Sequence, residues 1–137
     1  MSHIVTKVMI VDDHDLVREG LRQLLANATD IEVVVEASSG EEAVQAIRKT
    51  RVDVVLMDLN LPRMSGLEAT RRILTTQPGV KVVILTAYED EIRSARLLHG
   101  GVLGYLTKDC GPDELIEAIR QVATGKRYVS ERVAKRL

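Results

Sequence analysis

The chain has 137 residues and 15.2 kDa, the size of one domain that buries about two-thirds of the surface its unfolded chain exposes. Its 19 basic and 20 acidic residues leave a net charge of −1, which excludes a global field for nucleic acid or an anionic membrane. No apolar stretch approaches the ~20 residues of a membrane span, the N-terminus lacks a signal-peptide pattern and the single cysteine, Cys110, excludes an internal disulfide, so a soluble, cytoplasmic protein is expected.

With no Trp or Phe and three Tyr, the core must come from Val, Leu, Ile and Ala. In chain order, residues 6–11 read as a first strand. Residues 15–28 read as a helix, with Leu16, Gly20, Leu21, Leu24 and Leu25 on one stripe. A second strand spans 31–37, and Ser39 is placed to cap a second helix whose apolar face holds Ala43, Val44 and Ile47. A third strand covers 52–57, followed by a Pro- and Gly-containing loop over 59–66 and a third helix over 67–76. The fourth strand (81–85), a fourth helix (89–98), the fifth strand (102–106) and a last helix (112–124) with Pro112 in its first turn complete the pattern. From Lys126 onward, five basic residues stand against one acid, Glu131. This tail is expected to be a solvated linker helix after a domain ending near residue 125.

Short apolar runs alternating with helices predict an α/β fold: a doubly wound, flavodoxin-like parallel sheet of five βα units in strand order 2-1-3-4-5. Ligands in such sheets bind outside the carboxyl ends of the strands. Asp12 and Asp13 end the first strand, Asp58 the third, Thr86 the fourth and Lys108 the fifth. Strands one and three are neighbours at the switch point, so three acids, a hydroxyl and an ammonium converge on one edge. Three close carboxylates repel unless a cation intervenes, and oxygen-only ligands suit Mg²⁺. The three acids, one Mg²⁺ and Lys108 sum to zero charge. Such a centre is equipped to receive a phosphoryl group, with Asp58 as nucleophile, Asp13 as a direct metal ligand and Asp12 as a ligand through water or an anchor behind the first.

The segments Val11-Asp12-Asp13-His14, Leu56 to Pro62, Gly66, Leu85-Thr86-Ala87 and Gly104 to Lys108 together resemble the receiver domain of bacterial two-component response regulators, over residues 7 to about 125. The resemblance implies that Asp58 accepts a phosphoryl group from a phosphohistidine on a sensor histidine kinase. It implies that Asp12, Asp13, Asp58 and the backbone carbonyl of Asn60 hold Mg²⁺. It implies that Lys108 and Thr86 bind the phosphoryl oxygens, and that Tyr105 moves inward with Thr86 as the switch. Asn60 and Tyr88 stand where the family tunes the lifetime of the phosphate. Asp109 follows Lys108 where most receivers have proline.

Val-Asp-Asp-His followed by Leu16 to Leu21, the Gly-Tyr-Leu-Thr-Lys-Asp ending and Gly125 to Tyr128 resemble the NarL/FixJ (LuxR-type) class. Its members carry a C-terminal helix-turn-helix that binds DNA, absent from this sequence. By analogy, a homodimer through the first and last helices is expected, and DNA contact only through that output domain. Two other readings compete. Asp13-His14-Asp15-Leu16-Val17 fits the nucleophile motif of haloacid-dehalogenase-like phosphatases, with Asp13 as the nucleophile, but leaves Asp58 unexplained. A binding module that works without phosphorylation would not require the intact acid set. His14 is read as helix entry rather than a ligand, because hard oxygen sites rarely recruit imidazole. Cys110 lies near Lys108, which would favour its thiolate, although a single thiol is more often inert.

Overall fold

The computed structural model describes residues 4–87 and 101–136. Within them the elements run β1 (Thr6–Val11), α1 (Asp15–Leu25), β2 (Ile31–Ala37), α2 (Gly40–Lys49), β3 (Val54–Met57), α3 (Gly66–Thr76), β4 (Lys81–Thr86), β5 (Val102–Thr107), α4 (Pro112–Ala123), β6 (Tyr128–Val129) and α5 (Glu131–Arg136). The helix expected over 89–98 and Tyr88 lie outside the described residues. All strand pairs are parallel, in the order β2-β1-β3-β4-β5-β6. The predicted doubly wound order is therefore present, extended by one strand.

The central strands are buried on both faces, which is why they read as unbroken apolar runs rather than alternating ones. Their period of two sorts side chains into two layers. Val8, Ile10, Val54, Leu56, Val83, Leu85 and Leu106 pack with Leu25 of α1 and Leu115, Ile119 and Val122 of α4. Met9, Val11, Val55, Met57, Val82, Ile84 and Tyr105 pack on the other face with Ala43, Val44 and Ile47 of α2 and Ala69 and Ile73 of α3.

Helix starts follow local chemistry. Ser39 accepts a hydrogen bond from the Glu42 amide at 3.1 Å, as expected for a cap, and Ser65 does the same for Glu68 at 3.2 Å. Pro112 opens α4, where its missing N–H costs nothing. The stripe expected on α1 is only partly buried: Leu25 is in the core and Leu21 and Leu24 pack against it, but Leu16 is 83 % exposed. Leu16 points outward from the first turn of α1, whereas Arg18, two residues on, reaches back to the Asp12 carbonyl at the end of β1.

The tail departs most from expectation. Instead of a solvated linker, Tyr128 and Val129 pair with Gly104 and Tyr105 of β5, and the Ser130 amide donates to the Tyr105 carbonyl at 3.2 Å. Ser130 caps α5 through the Val133 amide at 3.2 Å, and Val133 is fully buried. Tyr128 donates its hydroxyl to Glu114 at 2.8 Å, and Arg132 pairs with Asp109. Three apolar residues in a basic stretch, Tyr128, Val129 and Val133, outweigh its polar composition once β5 offers an open edge.

Candidate functional site

Sheet register brings the acids together. Val11 pairs with Met57 and the Asp58 amide donates to the Val11 carbonyl at 3.0 Å, so Asp12 and Asp58 leave adjacent strands side by side. On the next two strands, Thr86 of β4 pairs with Thr107 of β5 and the Lys108 amide donates to the Thr86 carbonyl at 2.7 Å. From this position Lys108 reaches back across the edge. Its Nζ lies 2.6 Å from Asp12 Oδ2 and 3.1 Å from Asp58 Oδ2. One ammonium therefore bridges the carboxylates of two neighbouring strands.

Both carboxylates are buried, Asp12 at 2 % and Asp58 at 3 % exposure. Burial pushes the Asp58 carboxyl above its ordinary range, and the hydrogen bond from the Asn60 amide (3.1 Å) and the charge of Lys108 offset only part of that. Asp12 meets the same burial, yet Lys108 and the His14 amide (2.9 Å) hold it below the usual carboxylate range. For Lys108 burial disfavours the cation, and the two acids more than reverse the effect, so its pKa is raised. The two acids thus differ: Asp12 is kept anionic, while Asp58 is the group that gains most from added positive charge.

Asp13 is half-buried at the mouth of the edge. Its Oδ1 is shielded from solvent and makes no hydrogen bond, although His14 Nδ1 lies 3.1 Å away. His14 Nδ1 is also 3.0 Å from Asp12 Oδ1. Ligand atoms of Asp12, Asp13, His14 and Asp58 all lie within 4.8 Å of one another. A buried carboxylate oxygen without a donor, beside two further acids, fits a divalent cation. The reading of His14 as mere helix entry is incomplete: its backbone does lead into α1, but its ring joins the acid cluster. The imidazole directly after the acid pair was the available signal.

The β3–α3 loop shapes the floor. Asn60 is exposed, and its amide closes a tight turn on Asp58 Oδ1. Gly66 starts α3 against the backbone of Asp58 and Leu59, where a Cβ would collide with the Asp58 carbonyl oxygen. Thr86 is fully buried at the end of β4, and Tyr105 is 2 % exposed, so the structure holds this side chain inside. Asp12, Asp13, Asp58, Asn60, Thr86 and Lys108 all fall on the carboxyl edge, with Tyr105 three residues back along β5. Cys110 is not activated: burial, with Glu114 and Asp109 nearby, pushes its thiol up to about 11.

Residues 8–120 match the response regulator receiver domain, and the chain belongs to this family of signalling domains. It is 46 % identical over 131 residues to the response regulator GacA of Pseudomonas aeruginosa, covering 96 % of this chain and 61 % of that protein. It is 44 % identical over 130 residues to the response regulator UvrY of Escherichia coli K12, covering 95 % and 60 %. Among solved structures, a LuxR-family two-component response regulator from Aurantimonas sp. SI85-9A1 superposes with a TM-score of 0.88 at 37 % identity, covering 96 % of this chain and 94 % of that one. The chain thus spans about three fifths of the length of the curated relatives it matches. The receiver resemblance and its LuxR-type subclass, read from the motifs, agree with these matches. No described helix is long and apolar enough to cross a membrane.

Proposed function

We propose that Asp58 is the phosphoacceptor of this receiver, taking a phosphoryl group from a phosphohistidine of a sensor histidine kinase. The P–N bond of the donor breaks, a P–O bond to the Asp58 carboxylate forms, and the histidine nitrogen leaves to take up a proton. The observation that carries this reading is Lys108, held 3.1 Å from Asp58 and 2.6 Å from Asp12, beside an Asp13 oxygen whose near neighbour is His14 Nδ1 at 3.1 Å.

Mg²⁺ would be held by Asp12, Asp13, Asp58 and the Asn60 carbonyl, and when bound supplies charge neutralisation for the phosphoryl oxygens. The remaining work belongs to the chain. Asn60 and Lys108 orient the Asp58 carboxylate for in-line attack, Lys108 neutralises charge on the incoming group, and Thr86 offers a hydroxyl at the adjacent strand end. Thr86 and Tyr105 form the switch, and phosphorylation biases its two packings. The domain catalyses its own phosphorylation and slow loss of phosphate, with Asn60 and Tyr88 setting the lifetime.

The protein acts in the cytoplasm and regulates transcription, with DNA binding left to an output region outside this chain. Dimerisation uses α1 and α4, and the exposed Leu16 supports that surface.

The test is phosphorylation by a small acyl phosphate with Mg²⁺, followed by mapping of the labelled acid. Label on Asp58, lost on chelation and in Asp58→Asn, is the expected result. Label on Asp13 would establish the phosphatase-type alternative. Uptake of no phosphate by the intact acid set would leave a phosphorylation-independent binding module.

A further inference from the structure

We infer that His14 makes this centre a mixed nitrogen–oxygen site, one that takes first-row transition ions such as Co²⁺ far more tightly than three carboxylates alone would. The inference rests on the acid edge being a cation site, as proposed above, and adds a ligand and a selectivity to it.

The argument starts from spacing. His14 Nδ1 lies 3.0 Å from Asp12 Oδ1 and 3.1 Å from Asp13 Oδ1. Two ligands in adjacent positions of an octahedron with bonds of ~2.1 Å are separated by √2 times that length, about 3.0 Å. The imidazole nitrogen and both carboxylate oxygens are thus already spaced as neighbouring corners of one coordination shell, with an Asp58 oxygen within 4.8 Å of each.

The local backbone sets this up. Asp12 Oδ1 accepts the His14 amide at 2.9 Å, a turn that folds the residue back over the acid that precedes it by two. The same oxygen meets the ring at Nδ1, so Asp12 fixes which nitrogen faces the cluster. The His14 side chain is 62 % exposed, so the ring has room to turn, and the proton that Nδ1 shares with these carboxylates leaves to solvent when its lone pair takes an ion shared with Asp13. Asp13 Oδ1 has no hydrogen bond to lose when it does.

Chemistry then separates the ions. Mg²⁺ prefers oxygen and keeps its waters, so it gains little from an imidazole. Co²⁺, Fe²⁺ and Zn²⁺ bind imidazole well, and their affinities for nitrogen-containing sites rise along the divalent series. A centre that offers nitrogen at its open side therefore discriminates between the classes through one residue.

The experiment is calorimetric titration of the full chain with Mg²⁺ and with Co²⁺, in a background where His3 and His99, the other two histidines, are alanine. His14→Gln and His14→Ala are compared with that parent, and the Co²⁺ absorption spectrum is recorded alongside. The expected result is a loss of about tenfold or more in Co²⁺ affinity in both variants, with a changed Co²⁺ spectrum. Mg²⁺ affinity should move by less than about twofold. Equal Co²⁺ affinity and an unchanged spectrum in parent and variants, with Mg²⁺ still bound, would overturn the role of His14 alone. Binding of neither ion to the parent would overturn the cation site itself.

Discussion

At Gly66 and Lys108 single atoms bear on how the acid edge is assembled. At Gly66 the obstacle to a side chain is backbone, the Asp58 carbonyl and Leu59 Cα, which cannot swing away as a flexible side chain would. Gly66→Ala is therefore expected to cost about 1–3 kcal/mol, measured by urea unfolding, and to slow phosphorylation because the displaced atoms belong to Asp58. Gly20 is the control: a Cβ there meets open space, and in a helix interior Gly20→Ala should stabilise by about 0.5–1 kcal/mol. Cys110 gives a test of environment over neighbourhood. Lys108 stands two residues away, yet burial and two acids hold the thiol up to about 11. Alkylation of the folded protein should be slow at pH 7.5 and rise steadily toward pH 11, while urea-unfolded protein reacts fast.

Among the elements, the β6–α5 unit bears directly on Tyr105. It pairs with the backbone of Tyr105, and its fully buried Val133 packs into the same cluster as Tyr105. Val133→Ala should cost about 1–3 kcal/mol by lost burial and a residual cavity. Removing residues from 126 onward should lower the thermal midpoint further, because it also uncovers the edge of β5. An unchanged midpoint in the shortened chain would mean that this unit does not contribute to the fold. The motifs on β1, β3, β4 and β5 were legible because each strand ends in a residue whose chemistry contradicts the apolar run before it. The tail was misread because its signals are few: Tyr128, Val129 and Val133 are spread among five cations and gain meaning only beside β5.

At the scale of the whole molecule, opposing titrations make function cost stability. Arg71 and Arg72 hold Glu68 down to about 2, and Arg120 holds Asp30 below its ordinary value across the α1–β2 loop and α4. Groups with a lowered folded pKa stabilise fully above the ordinary carboxylate range, and that contribution is lost as pH falls through it toward 2. Stability should therefore decline on acidification below about pH 4. Asp58 has the opposite sign. Burial raises its pKa, so its ionisation above that value works against folding. Asp58→Asn should raise stability at pH 7 by on the order of 1 kcal/mol in the presence of a chelator, while ending phosphate uptake. A thermal melt that is lowered by this substitution would mean that Lys108 pairing outweighs burial at Asp58.

Fold class, strand order and the acid, hydroxyl and ammonium positions were determined by the sequence alone, since two-sided burial forces continuous apolar runs and parallel strands all end at one edge. Tertiary structure decided what depends on distance across elements. Lys108 bridges Asp12 as well as Asp58, His14 turns its ring toward the acids, Leu16 stays in solvent, and the basic tail becomes part of the sheet. Periodicity specifies which face a residue occupies, whereas pairing across a sheet edge depends on register, and register is set by the packing of the whole domain.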